Sequence, residues 1–170
     1  YLQNGELDSS PIELISKKRF DDFNIASIAE ISKFISAASG SHFQTNALGG
    51  QDQGMASITL RGLDHSSTLI MINSKRQTFA GTAANDGEGY IDVNIIPEIA
   101  LQKIEVLNEV ATSTYGSDAV AGVVNFFTYK NFDGVKLKIN RQTTSNYNQN
   151  DNSIGLLYGS NYKNGNYVLG

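Results

Sequence analysis

The chain has 170 residues, 40% of them apolar and 18% charged, with a formal net charge of −4. It is long enough for a domain with a sizeable core and too apolar for a disordered chain, and its acidic balance argues against a nucleic-acid face, which needs clustered Lys and Arg. There is no cysteine, so disulfide scaffolds, thiolate metal sites and cysteine nucleophiles are excluded.

No stretch approaches the ~18 consecutive apolar residues of a transmembrane helix, and no signal-peptide pattern opens the chain. It begins at Tyr1 and stops at Val168-Leu169-Gly170 inside an apolar pattern, so both ends read as cuts in a longer protein. A membrane β-protein is compatible with this, because barrel strands carry only a weak alternating signal.

Residues 1–131 read as one mixed α/β unit. Pro11 to Ile15 is a short apolar run that predicts a strand. Ser27-Ile28-Ala29-Glu30 fits a capping box, and Ile28, Ile31, Phe34 and Ile35 follow at helical spacing until Gly40. Residues 41–54 are rich in Gly, Gln and Asn and predict a loop. Ser57 to Leu60 alternates like a strand, and Leu69 to Ile72 is a buried-strand run. Residues 77–90 predict a second polar loop. Pro97 suits the start of a short helix over Glu98 to Lys103, followed by a strand from Ile104 to Leu107. Gly122 to Phe127 predicts another strand. Several short strands with intervening helices imply a small sheet packed by helices.

The pattern changes over residues 132–170. Val135, Leu137 and Ile139 alternate with Lys136, Lys138 and Asn140, the period-two signature of a transmembrane β-strand with its apolar side toward lipid. Residues 146–152 predict a solvated loop. Residues 153–162 have the length of a tilted barrel strand, ~9–11 residues. Asn164-Gly165 is a hairpin signal, with a third strand beginning at Tyr167. A soluble antiparallel meander shows the same alternation. Two or three strands cannot close a barrel, so this segment is no pore by itself.

Two segments carry a family likeness. One is Ser57-Ile58-Thr59-Leu60-Arg61-Gly62-Leu63 with the run from Thr68 to Arg76; the other runs from Ile91 to Lys130. Arg61-Gly62, Pro97, Ile104-Glu105-Val106, Tyr115-Gly116, Ala119 and Gly122-Val123-Val124-Asn125 stand in the order of the plug motifs of TonB-dependent outer-membrane receptors, which the chain closely resembles over residues 11 to 134. So many ordered matches are far more specific than one short motif. The implied fold is α+β: a small mixed sheet with short helices, then the first antiparallel strands of a transmembrane β-barrel. Two departures stand out. Ser74 replaces the glycine usual in its turn, so its backbone is expected to avoid positive φ or to rely on Asn73 for it. Lys75 keeps the charge of the first basic residue but loses its bidentate fork. No clear TonB box is visible before Pro11, so coupling to TonB enters through the resemblance only.

The resemblance implies active import of a scarce ligand, such as a ferric siderophore, cobalamin or an oligosaccharide, into the periplasm. TonB would pull the plug's N-terminal segment, peeling the strand near Ile12 to Ile15 first. Partners are TonB, the small-molecule ligand and outer-membrane lipid around the complete barrel; no cofactor is implied. Residues 41–54 and 77–90 are the expected apical loops. Their candidate ligand contacts are His42, Gln44, Asn46, Gln51, Gln77, Thr78, Asn85, Asp86 and Tyr90, with Phe43 and Phe79 available for stacking. Arg61 follows an apolar strand, is expected to be partly buried, and is the first candidate for a plug–barrel lock, with Arg76 second and Glu105 as a further member. The alternative is an Arg61 pair within the plug, with Glu105 or Asp92.

Other classes fit less well. His42 and His65 lack metal-pair spacing and a neighbouring nucleophile motif, and read as solvated loop residues. Asn85 to Gly89 lacks the full ligand spacing of a calcium loop, leaving Asp86 and Glu88 as surface charges. No phosphate-binding glycine motif is present. A non-transporting adhesin or signalling receptor built on the same plug remains the second reading.

Overall fold

Apolar runs become strands here because two sheets cover them differently. The computed structural model describes residues 12–22, 28–38, 41, 56–81, 83–84, 87–143, 150–163 and 165–170. One sheet holds β1 (Ile12–Ser16), β2 (Thr68–Ile72), β3 (Lys75–Arg76), β4 (Leu101–Leu107) and β5 (Gly122–Thr128), in the order β1-β4-β5-β2-β3. The β2–β5 pair is parallel and the others antiparallel, which makes the sheet mixed.

Both faces of this sheet are covered at its centre, so β2 and β5 read as continuous apolar runs. On one face Ile15, Ile70, Ile104, Val106, Val124 and Phe126 meet Phe20, Ile31, Ile58, Leu60 and Val93. On the other, Leu69, Met71 and Val123 pack against Ala111 and Ala119. Helix α1 (Lys17–Asp22) follows β1 directly and buries Phe20, and the short α2 (Thr112–Tyr115) precedes Gly116.

The expected helix after residue 27 is a 3₁₀ helix over Ile28–Phe34. Ile28, Ile31 and Phe34 are three apart, and a 3₁₀ helix eclipses such positions on one edge. The capping residue Ser27 lies outside the described residues. Ser57 to Leu60 is buried but belongs to no strand of the sheet. Its backbone bonds go elsewhere: Thr59 N–H donates to Ser41 Oγ and Leu60 N–H to Thr68 Oγ1. The helix expected over 98–103 shrinks to a 3₁₀ turn, Glu98–Ala100. Pairing of Leu101 with Thr128 draws the rest into β4.

Ser74 takes positive φ rather than avoiding it: φ is 51° at Asn73 and 65° at Ser74. Side chains on β5 hold this strained turn. Ser74 N–H donates to Asn125 Oδ1, and Asn125 Nδ2 donates back to Ser74 Oγ. Asn73 Nδ2 donates to Thr128 Oγ1 and its Oδ1 accepts from Thr128 N–H. These bonds do what a glycine would do by lacking a Cβ.

The second sheet is a separate meander, β6 (Gly134–Thr143), β7 (Asn150–Tyr162) and β8 (Gly165–Leu169). Strand β7 starts at Asn150, paired with Thr143, so residues 150–152 of the expected loop are strand; residues 146–149 lie outside the described residues. Tyr162 pairs with Gly165, which places the third strand two residues earlier than expected. Val135, Ile139 and Ile154 stand out from one face at 67%, 66% and 77% exposure, beside Leu137, Leu156, Tyr158 and Leu169. The opposite face meets the first unit: a Cβ on Gly155 would lie 3.2 Å from Ile99 Cδ1, and Leu157 is buried.

Two stability outcomes follow. Gly122 has φ 137°, and a Cβ there would sit 2.3 Å from the Leu107 carbonyl oxygen and 2.8 Å from Leu60 Cδ1. Gly122→Ala is therefore expected to lower stability by about 3 kcal/mol in urea denaturation, since the Leu107 carbonyl cannot retreat without moving β4 and the positive φ is itself strained for alanine. Asn125 is 2% exposed. Asn125→Ala leaves the Ser74 N–H without its acceptor and is expected to cost about 1–3 kcal/mol, read by the same denaturation; a neutral result would remove Asn125 as the support of the turn.

Candidate functional site

The loop from Arg76 to Tyr90 leaves the edge strand β3. It borders a cleft of about 230 Å³ lined by Arg76, Gln77, Thr78 and Phe79 of this segment together with Ser66 and Asp118. Phe79 is half exposed and lies over Gly89, whose Cβ position is 3.1 Å from the ring. Gln77 turns its amide back, Nε2 donating to the Lys75 carbonyl at 2.9 Å. Tyr90 is 7% exposed and packs with Ala84 and Ala80, so it serves as a packing residue of this loop. Glu88 accepts from Ser66 Oγ at 2.9 Å, tying the loop to the His65–Ser67 turn. His65 Nδ1 in that turn is 2.9 Å from Ser57 Oγ. His42, Phe43, Gln44, Asn46, Gln51, Asn85 and Asp86 lie outside the described residues.

The three lock candidates have partners within the same unit. Arg61 is exposed rather than partly buried, sits at φ 58°, and donates from Nη2 to the Val120 carbonyl at 2.8 Å. Neither Glu105 nor Asp92 is that partner. Arg76 forms an ion pair with Asp118 and donates to the Tyr115 carbonyl. The two arginines thus converge on the segment from Tyr115 to Val120. Glu105 is bridged by Lys103 at 2.6 Å, and the same ammonium lies 4.6 Å from the Phe127 ring centroid.

A different residue reaches the second sheet. The Glu98 carboxylate is shared: Lys17 Nζ lies 2.7 Å from Oε1 and Lys138 Nζ 2.8 Å from Oε2. The three side chains are 10%, 11% and 17% exposed in the order Glu98, Lys17, Lys138. Pro97 and the following turn aim Glu98 outward beside Ile99, which seats against Gly155 of β7. Burial works to lower the pKa of Lys17, but the bonds to Glu98 and Asp21 outweigh it and raise it above the usual lysine value. Sequence reasoning missed this cluster. The one available signal was Lys138 on the polar side of an alternating strand, where a buried ammonium needs a carboxylate.

The model of the TonB-dependent Receptor Plug Domain family matches residues 7–123. The iron-regulated outer membrane virulence protein of Vibrio cholerae is 40% identical over 74 residues, 43% of this chain and 11% of that protein. The vitamin B12 transporter BtuB of Vibrio vulnificus is 28% identical over 152 residues, 88% of this chain and 22% of that protein. Among solved structures, the siderophore receptor PirA from Acinetobacter baumannii matches with TM-score 0.63 and 24% identity over 88% of this chain and 22% of that one. A mutant of the ferric enterobactin receptor PfeA from Pseudomonas aeruginosa matches with TM-score 0.69 and 20% identity, over 93% and 23%. These structures share the fold, a mixed plug sheet followed by antiparallel barrel strands. The chain therefore spans between about a tenth and a quarter of the relatives it matches. BtuB is a transporter, and PirA and PfeA are receptors. The chain belongs to the TonB-dependent receptor plug family of the bacterial outer membrane.

Proposed function

We propose that residues 1–131 are the plug and residues 132–170 the first wall strands of a receptor that imports a scarce ligand across the outer membrane, driven by TonB. The observation that carries this reading is the two-faced β6–β8 meander. Its outward stripe of Val135, Leu137, Ile139, Ile154 and Leu156 is exposed, while its other face is closed by Ile99 and Glu98 of the plug unit. An apolar stripe of that size facing away from the core suits lipid, and an inward lysine suits a filled barrel lumen.

Ligand capture belongs to the loops 41–54 and 77–90, with Gln77, Thr78 and Phe79 at the described cleft. Iron-linked and siderophore-receptor names among the relatives make ferric siderophores the first ligands to test and cobalamin the second. The support for Arg61 is its exposure and its strained backbone: a non-glycine residue is held at φ 58°, with its guanidinium on the Val120 carbonyl. In the closed barrel Arg61, Arg76 and Glu105 are the proposed plug–wall lock. TonB would act at the N-terminal edge, where β1 has, among the described residues, a single partner strand, β4.

The test is uptake by cells in which the full-length receptor is the sole outer-membrane route for labelled ferric siderophores or cobalamin. Energy-dependent accumulation abolished by loss of TonB is expected; binding without accumulation would instead favour a non-transporting receptor. Replacing Gln77, Thr78 and Phe79 together by Ala is expected to weaken ligand binding about tenfold or more, by equilibrium titration on the purified receptor. Arg61→Glu is expected to raise protease accessibility of the plug in outer-membrane vesicles and to lower uptake. Unchanged values in both would remove Arg61 from the lock.

A further inference from the structure

The Glu98 cluster joins three places at once: the end of the edge strand β1, the turn before β4, and the first wall strand β6. Lys17 opens α1 directly after β1, so it moves with the N-terminal edge. Lys138 is fixed in the β6–β7 ladder opposite Gly155. Glu98 stands between them, bonded to each through a different oxygen. Lys17 also has a second carboxylate of its own helix, Asp21, at 3.1 Å.

This arrangement has a definite consequence when it divides. If β1 and α1 withdraw, Lys17 leaves together with Asp21, and Glu98 stays with Lys138. Each part keeps a cation and an anion. A carboxylate stranded without a cation in a site this dry is strongly disfavoured, and so is a lone buried ammonium. Separation along this line strands neither.

We propose that Glu98 is a positioning residue whose second cation, Lys138, lets the first, Lys17, depart, so that the N-terminal element detaches while the plug body stays seated on the wall. The consequence of a mutation is then opposite to that of a simple brace. With Lys138 gone, Glu98 is left, among the described residues, with Lys17 alone, and every opening of β1–α1 exposes the cost of a bare carboxylate. Removal of a wall lysine therefore protects the N-terminal element. The inference rests on the import reading only for its purpose; the electrostatics can be tested without transport.

The experiment is amide hydrogen exchange over residues 12–22 in the full-length receptor. Lys138→Met is expected to slow exchange there by about tenfold, whereas Lys17→Met speeds it a few-fold. Lys138→Arg should keep the parent rate. Glu98→Gln removes the charge that could be stranded, so Lys138→Met added to Glu98→Gln should change nothing further. If Lys138→Met prevents assembly by itself but assembles with Glu98→Gln, the stranded charge is again identified as the cause. Unchanged or faster exchange in Lys138→Met, or slowing that persists in the Glu98→Gln background, overturns the proposal. A receptor that shows the exchange pattern and no TonB-dependent uptake would overturn the transport reading and leave the junction standing.

Discussion

A carboxylate taken out of water has to be neutralised where it lies, and Glu98 is neutralised from two directions. That requirement fixes the turn after Pro97, the start of β4, the end of β1 and the height of β6 relative to one another. Ion pairs of this kind come close to break-even against their own desolvation. The favourable energy of the contact comes from its apolar neighbours. Ile99 and Leu157 are buried at the same seam, and each such side chain contributes about 1.5–3 kcal/mol when removed from water. The apolar contact supplies affinity and the charges set the register.

The two sheets then follow from opposite demands on their faces. The β1–β5 sheet needs cover on both sides at its centre and finds it within the unit, from Phe20, Ile31 and Ile58 on one side and Ala111 and Ala119 on the other. The meander needs two different media. Its inner side takes Ile99, and Phe132 backs against Gly159, whose Cβ position is only 2.5 Å from the Phe132 carbonyl oxygen. Its outer side presents cross-strand apolar pairs, Val135 with Tyr158, Leu137 with Leu156 and Ile139 with Ile154. Water is a poor neighbour for those pairs, and lipid a good one.

Strain is placed where hydrogen bonds can hold it. Asn73 and Ser74 both occupy the left-handed region, and Asn125 and Thr128 of the neighbouring strand bind their polar groups on both sides. Arg61 is strained at the entry to a different turn, with its guanidinium on the Val120 carbonyl. The family glycine at the first of these turns is replaced here by a network that reaches across the sheet. Its cost, about 1–2 kcal/mol for a non-glycine residue in that region, is matched by bonds of about 1 kcal/mol each.

Local pattern was enough for the strands whose side chains repeat every two residues or run continuously: β2, β5 and β6 were legible from Leu69 to Ile72, Gly122 to Phe127 and Val135 to Ile139. The ordered plug motifs made the family legible as well. Propensity misled where partners decide conformation. Ser57 to Leu60 alternates like a strand but spends its amides on Ser41 and Thr68, and Leu101 to Lys103 reads as helix until β5 pairs with it. The cleft residues Gln77, Thr78 and Phe79 were legible as loop members, while the packing of Tyr90 was not. Glu98 was wholly illegible as a junction: its two lysines lie 81 and 40 residues away along the chain. Periodicity reports which side of a strand or helix avoids water. It carries no information about which distant charge will arrive beside a buried one, and that is settled only when the sheets dock.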